Sequence, residues 1–216
     1  MSVPESDSAS GLPTGARWDR NYADPDYIFG EAPNEFLRSK ASLLTPGMTA
    51  LVPGDGEGRN GVWLAERGLL ATTVEASLNG VEKAKSLARK RRVDINAIHA
   101  DLERWDWPEN RFDLIASIFL HLHPSVREGL HRKMLRALQP GGLLLLEAYT
   151  PRQLEHRKAG AKGGPPPEML FTAAVLAGDF SAMAIDELAE VETTLAEGKR
   201  HNGPASVVRL LARRRI

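Results

Sequence analysis

The segment GDGEGRNG, from Gly54 to Gly61, combines residue types and spacing suited to holding a ligand. Glycines let a backbone turn tightly and approach a bound group that a Cβ would exclude. Gly56, Gly58 and Gly61 satisfy the G-x-G-x-x-G spacing of dinucleotide sites, whereas Gly54, Gly56 and Gly58 give the G-x-G-x-G spacing of S-adenosylmethionine sites. A tight turn without a ligand is the third reading. Both ligand patterns are followed ~20 residues on by an acid that holds ribose hydroxyls. Glu75 occupies that place. Charge separates the two ligands: a pyrophosphate prefers bare amides, while Asp55 and Glu57 inside the loop suit a ligand carrying a sulfonium and an ammonium.

Further candidates lie outside the loop. His121 and His123, in HLHP, read either as acceptor-side chemistry or as turn and capping residues. Tyr149 and His201 point toward the strand-end crevice where open α/β sheets bind ligands, and for His201 a solvated turn residue is the alternative. Trp18, Tyr22, Tyr27 and Phe29 form an aromatic segment that either closes over a cationic ligand or packs as an ordinary N-terminal helix. Arg59 reads as a helix-start residue, or as a clamp for an anionic acceptor. Trp105 and Trp107 lack the basic stripe of a base-stacking platform and read as packing residues.

The elements that must position these residues follow the rhythm of βα units. TALVPGD reads as a buried strand and GRNGVWLAERG as its helix, stopped by Gly68; LATTVEAS is a second strand. VEKAKSLARKRR is a helix with cations toward its end, where they complement the dipole. INAIHADL, RFDLIASIFLHL and GLLLLEAY are three more apolar strands, with the helix SVREGLHRKMLRAL before the last and a Pro-Gly-Gly stop between. KAGAKGGPPPEM reads as a long loop, and FSAMAIDELAEVETTLAEG and SVVRLLARR as two strands joined near Gly198 to Gly203. Residues 1–15 read as a mobile tail and 16–216 as a single domain, in which 16–45 form an N-terminal cap segment and 158–168 a lid.

Composition narrows the function classes. The 216 residues carry 28 Lys plus Arg and 28 Asp plus Glu, so the balance gives no surplus of cations for a nucleic-acid backbone. The absence of cysteine excludes disulfides, thiolate metal sites and thiol nucleophiles, and no metal site is expected. No secretory signal and no membrane span of ~18 apolar residues is read, which leads to an expected cytoplasmic location. Oligomeric state is not readable.

WDRNYADPDYIFGEAPNEFL, GDGEGRN, VEAS, ADLERWDW, FDLIASIFLHL, ALQPGGLLLLEAY and EGKRHNGPASVVRLLAR, in this order, resemble the class I S-adenosylmethionine-dependent methyltransferases. Within that class the chain is similar to the small-molecule branch containing the tellurite-resistance TehB-type and thiopurine-type enzymes. The resemblance runs from about Trp18 to the C-terminus. It implies a Rossmann-like, doubly wound α/β fold with helices on both faces, strand order 3-2-1-4-5-7-6 and an antiparallel seventh strand. It implies that Glu75 holds the donor ribose, Asp101 and the Leu102 backbone the adenine, Gly54, Gly56 and Gly58 the methionine portion, and the Ser117 carbonyl the ammonium. Trp18, Tyr22, Asn60 and Ala76 complete the expected donor set, Asn34 is expected to contact donor or acceptor, and His121 and Tyr149 are the expected catalytic residues. One position departs from the pattern: Val52 stands where such enzymes carry an acid, and Asp55 is expected to supply the charge. The implied activity is methyl transfer to a small molecule such as a thiol, selenium or tellurium species. An NAD(P)-dependent Rossmann oxidoreductase, or a donor-binding protein without turnover, is the alternative.

Overall fold

A computed structural model describes residues 14–216. Most of the tail expected over 1–15 lies outside the described residues; helix α1 (Thr14–Tyr22) already includes Thr14 and Gly15. Seven strands, β1 (Thr49–Pro53), β2 (Leu70–Glu75), β3 (Asn96–His99), β4 (Phe112–Ile118), β5 (Leu138–Tyr149), β6 (Met183–Glu197) and β7 (His201–Arg214), form one sheet in the order β3-β2-β1-β4-β5-β7-β6. The first five are parallel, and β7 runs antiparallel to both β5 and β6, as the resemblance implied. The chain reverses direction across the sheet between β1 and β4. Open sheets of this kind bind ligands at the carboxyl ends of the strands beside such a switch point.

Central strands are apolar at consecutive positions because both faces are covered. Along β5, Leu144 and Leu146 join Leu130 and Met134 of α5 (Pro124–Ala137) and Phe180 in one core layer. Leu143 and Leu145 join Phe36 and Leu37 of α2 (Glu35–Ser39) and Leu64 of α3 (Arg59–Glu66) in the other. Val52 belongs to this second layer and is 1% exposed, so its side chain is core. Trp105 and Trp107 pack against the first layer, and the Trp107 indole N–H donates to the Leu102 carbonyl at 2.8 Å.

Helix α4 (Leu78–Arg91) begins at Ser77, whose hydroxyl accepts from Gly80 N, and ends in Arg89, Lys90 and Arg91. Cations at the last turn face the negative end of the helix dipole. Several expected boundaries shift. The third strand stops at His99, because the backbone turns after Ala100 and Asp101 accepts from Arg104 and Trp105 amides. Strand β5 starts at Leu138, which pairs with Phe112 directly after α5, so the Pro-Gly-Gly stretch lies within the strand. Two short helices, α6 (Gln153–Lys158) and α7 (Ala173–Asp179), flank the expected loop in stretches for which no element was expected. The final turn is shorter than expected, and His201 is the first residue of β7.

Gly58 has φ +89°, and an added Cβ would lie 2.4 Å from the Ala84 Cβ and 2.6 Å from its Cα. This glycine therefore sets the approach of α3 to α4. Gly58→Ala is expected to destabilise the fold by roughly 1–3 kcal/mol, from backbone strain plus overpacking. Chemical denaturation measures this, and unchanged stability would contradict the close-approach role.

Candidate active site

A cavity of about 500 Å³ opens at the carboxyl ends of β1, β2, β4 and β5. The backbone after β1 reaches it through left-handed turns at Gly54 (φ +64°) and Gly56 (φ +60°), conformations that favour glycine. At Gly56 a Cβ would sit 2.4 Å from the Tyr22 hydroxyl, so the glycine also admits the aromatic segment.

One end of the cavity is acidic and aromatic. Glu75, closing β2, accepts from Gly56 N at 3.0 Å and Ser77 N at 2.8 Å, which anchors its carboxylate beside the glycine loop. A carboxylate has about four lone-pair sites, so two remain for hydroxyls of a ligand. Ala76, Asp101 and Leu102 line the same end. Trp18 stacks on Tyr22 at 5.3 Å, and Phe29 closes the group at 6.1 Å from Trp18. Burial, reinforced by Glu75, Glu57 and Asp55, holds the Tyr22 phenol well above its usual range, so it stays protonated.

Two acids of the loop have other partners than a ligand. Asp55 accepts from Gly61 N at 2.9 Å and Asn60 N at 3.3 Å, and so caps the first turn of α3; burial pushes its carboxyl up to about 7. Glu57 pairs with Lys83 at 2.8 Å. Lys83 also donates to the Asp26 carbonyl at 2.7 Å, which ties the N-terminal segment to α4. Short acids in a glycine loop satisfy nearby amides and ammonium groups first, which is why the charge argument from Asp55 and Glu57 weakens and Glu75 carries it instead.

The other end is built from β4, β5 and β7. Phe119, with φ +50°, follows β4 and lies 4.7 Å from Tyr149 and 4.3 Å from His201. His121 stacks on Tyr149 at 5.6 Å, and its Nδ1 lies 3.2 Å from the Met169 carbonyl. Burial holds the His121 imidazole down to about 3 despite that carbonyl. His123, by contrast, caps α5 by accepting from Ser125 N, as the capping alternative for HLHP requires. His201 is 7% exposed rather than solvated. Burial raises the Tyr149 phenol above its usual range, with Glu197 and Glu147 adding to the rise.

Asn34 has no spare group for donor or acceptor. Its Nδ2 donates to Glu147 Oε1 at 2.7 Å and Glu197 Oε1 at 3.1 Å, its Oδ1 caps α2, and its N–H donates to Asn60 Oδ1 at 2.9 Å. Glu197 pairs with Arg59 at 2.7 Å and lies 3.9 Å from His201 Nδ1. Burial acts to raise the Glu197 carboxyl, but His201 and Arg59 outweigh it and hold it at about 2. Glu197 was not singled out from sequence; the Glu-Gly turn before His201 was its only local signal.

Twelve of the fourteen expected site residues line the cavity: Trp18, Tyr22, Gly54, Asp55, Gly56, Asn60, Glu75, Ala76, Asp101, Leu102, His121 and Tyr149. Gly58 and Ser117 do not. Gly58 packs on α4, and Ser117 is 1% exposed within β4, opposite Leu146. Gly163, Gly164, Pro165, Pro166 and Met169, in and just after the expected lid, also border the cavity. Among the described residues no cluster of His, Cys, Asp or Glu suits a metal ion, and no helix is long and apolar enough to cross a membrane.

Residues 50–142 match a family model described as "Methyltransferase domain". The chain is 30% identical over 125 residues to 2-heptyl-1-hydroxyquinolin-4(1H)-one methyltransferase of Mycobacteroides abscessus, covering 55% of this chain and 53% of that one. It is 28% identical over 86 residues to sterol 24-C-methyltransferase of Debaryomyces hansenii, where it spans 36% of this chain and 23% of the relative's length. In fold it is similar to TehB from Haemophilus influenzae, with TM-score 0.68, 18% identity and coverage of 93% and 67% of the two chains. A structure described as "Conversion of a Disulfide Bond into a Thioacetal Group during Echinomycin Biosynthesis" aligns with TM-score 0.76, 18% identity and coverage of 93% and 92%.

The environment of His121 fixes a pH signature. Its unfolded imidazole takes up a proton near the model-peptide value of 6.5, its folded one near 3, so its contribution to stability is full above 6.5 and is lost as pH falls toward 3. Nitrogen-15 NMR of the imidazoles is expected to show His121 neutral, with Nδ1 protonated, throughout pH 5–8. A titration of that ring inside the window would contradict the buried geometry.

Proposed function

We propose that this chain, whose residues 50–142 constitute a methyltransferase domain, transfers a methyl group to a small-molecule acceptor. S-adenosylmethionine is the methyl donor of this class, and the residues at the acidic end of the cavity fit it. The observation that carries the reading is the anchored Glu75 carboxylate at the tip of β2, facing the same space as the glycine loop. In this reading Glu75 accepts the ribose hydroxyls, Asp101 and Leu102 border the adenine, and Gly54 and Gly56 border the methionine portion. Trp18, Tyr22 and Phe29 supply aromatic faces, which attract a sulfonium as they attract other cations.

Methyl transfer is an in-line displacement at carbon, so the protein's task is to align the acceptor and exclude water. Phe119, Tyr149, His201 and the 163–169 segment do this at the other end of the cavity. A sulfur, selenium or tellurium nucleophile suits a pocket without a strong base, because such centres attack without prior deprotonation by the protein. The chain has no cysteine to compete with such an acceptor.

A thermal-shift screen tests the donor first. S-adenosylhomocysteine is expected to raise the melting temperature and NAD(P)H to leave it unchanged; the reverse would select the oxidoreductase alternative. Glu75→Gln removes charge-assisted hydrogen bonds worth roughly 1.5–3 kcal/mol, so calorimetry is expected to show about ten- to hundredfold weaker S-adenosylhomocysteine binding. Methylated product from a panel of thiols, selenite and tellurite then separates turnover from binding without turnover.

A further inference from the structure

Four buried polar atoms at one end of the cavity make no hydrogen bond within the chain: Arg59 Nη1, His121 Nε2, Tyr149 OH and His201 Nδ1, the last 3.9 Å from the Glu197 carboxylate. All four residues line the cavity. Buried polar groups ordinarily find a partner, so four at one place mark a site built for a ligand's polar group.

Two of the four have fixed roles. A guanidinium only donates, so Arg59 Nη1 offers a donor; Arg59 is 5% exposed and held by Glu197 through Nη2. The Met169 carbonyl only accepts, so His121 Nδ1 carries the hydrogen and Nε2 is left as an acceptor. Arg59 is matched by Glu197, and Glu147 by Arg209 at 2.6 Å. The walls are rings: Phe119, Tyr149, His121 and His201 lie within 4.3–6.3 Å of one another wherever they pair.

We infer that this end is an acceptor subsite for an uncharged, ring-bearing molecule with a hydroxyl or thiol, whose X–H donates to His121 Nε2 while an oxygen or sulfur lone pair of the same molecule accepts from Arg59 Nη1. The inference rests on the methyl-transfer reading and narrows it. An oxyanion such as selenite or tellurite brings surplus negative charge to a place where the Arg59 guanidinium is already neutralised by Glu197. In the transfer, X forms a bond to the methyl carbon as the methyl–sulfur bond breaks and its electron pair stays on sulfur. The X–H proton passes to His121 Nε2 and from there to water. The methylated, still protonated X is a far stronger acid than an imidazolium, so a weakly basic histidine suffices as its acceptor.

Calorimetry on the full chain saturated with S-adenosylhomocysteine tests the subsite with phenol, phenylmethanethiol, their methylated counterparts anisole and benzyl methyl sulfide, selenite and tellurite. Phenol or phenylmethanethiol is expected to bind at least tenfold tighter than its methylated counterpart, and the better of the two identifies oxygen or sulfur as X. His121→Phe, which keeps a ring and removes the acceptor, is expected to abolish that preference while leaving S-adenosylhomocysteine affinity within twofold. Equal binding of the methylated and X–H probes by the unaltered protein, tighter binding of selenite or tellurite, or no binding of either X–H probe overturns the subsite. Failure of S-adenosylhomocysteine itself to bind overturns the methyl-transfer reading on which it stands.

Discussion

Two carboxylates, Glu147 and Glu197, are withdrawn from water at the point where β5, the end of β6 and the N-terminal segment meet, and the cavity's architecture depends on their compensation. A buried charge without a partner costs several kcal/mol. Here Arg209 answers Glu147, Arg59 answers Glu197, and the Asn34 amide donates to both. Because the Asn34 side chain also caps α2 and its backbone N–H donates to the Asn60 side chain, one neutral residue joins the N-terminal segment, α3, β5 and β6. The same network holds Arg59 at the cavity wall and sets His201 beside Glu197 there.

The zero net charge of the chain conceals this division. Acids collect at one end of the cavity, where Glu75 faces it and Tyr22 stays protonated beside Glu75, Glu57 and Asp55. At the opposite end burial shifts the imidazoles of His121 and His201 toward the neutral form. The two ends of one cavity thus differ in electrostatic surroundings.

What was legible in sequence was local. Apolar runs of strand length, the glycine loop after the first of them, and an acid closing the second gave the sheet and the position of Glu75 at the end of β2, because periodicity and short spacing carry that information. What was not legible depended on partners far away in the chain. Asn34 meets Glu197 across 163 residues and Glu147 across 113, so nothing in GEAPNEFL announces an amide bridging two acids. Asp55 was read as a ligand charge because its competition for the α3 amides becomes visible only once the loop is folded. His201 was read as a turn residue because GKRHNGP has turn composition; the pairing of His201 with Glu197 in the β6–β7 ladder overrides it.

The contact between the β6–β7 turn and the N-terminal segment also has a temporal meaning. Gly198 lies so close to Gly30 that a Cβ on it would come within 2.4 Å of the Gly30 nitrogen. Contacts between segments so distant in sequence form late, since loop-closure entropy must first be overcome. The hairpin that closes the pocket is thus tied to the segment furthest from it in sequence, so completing the cavity requires the whole chain.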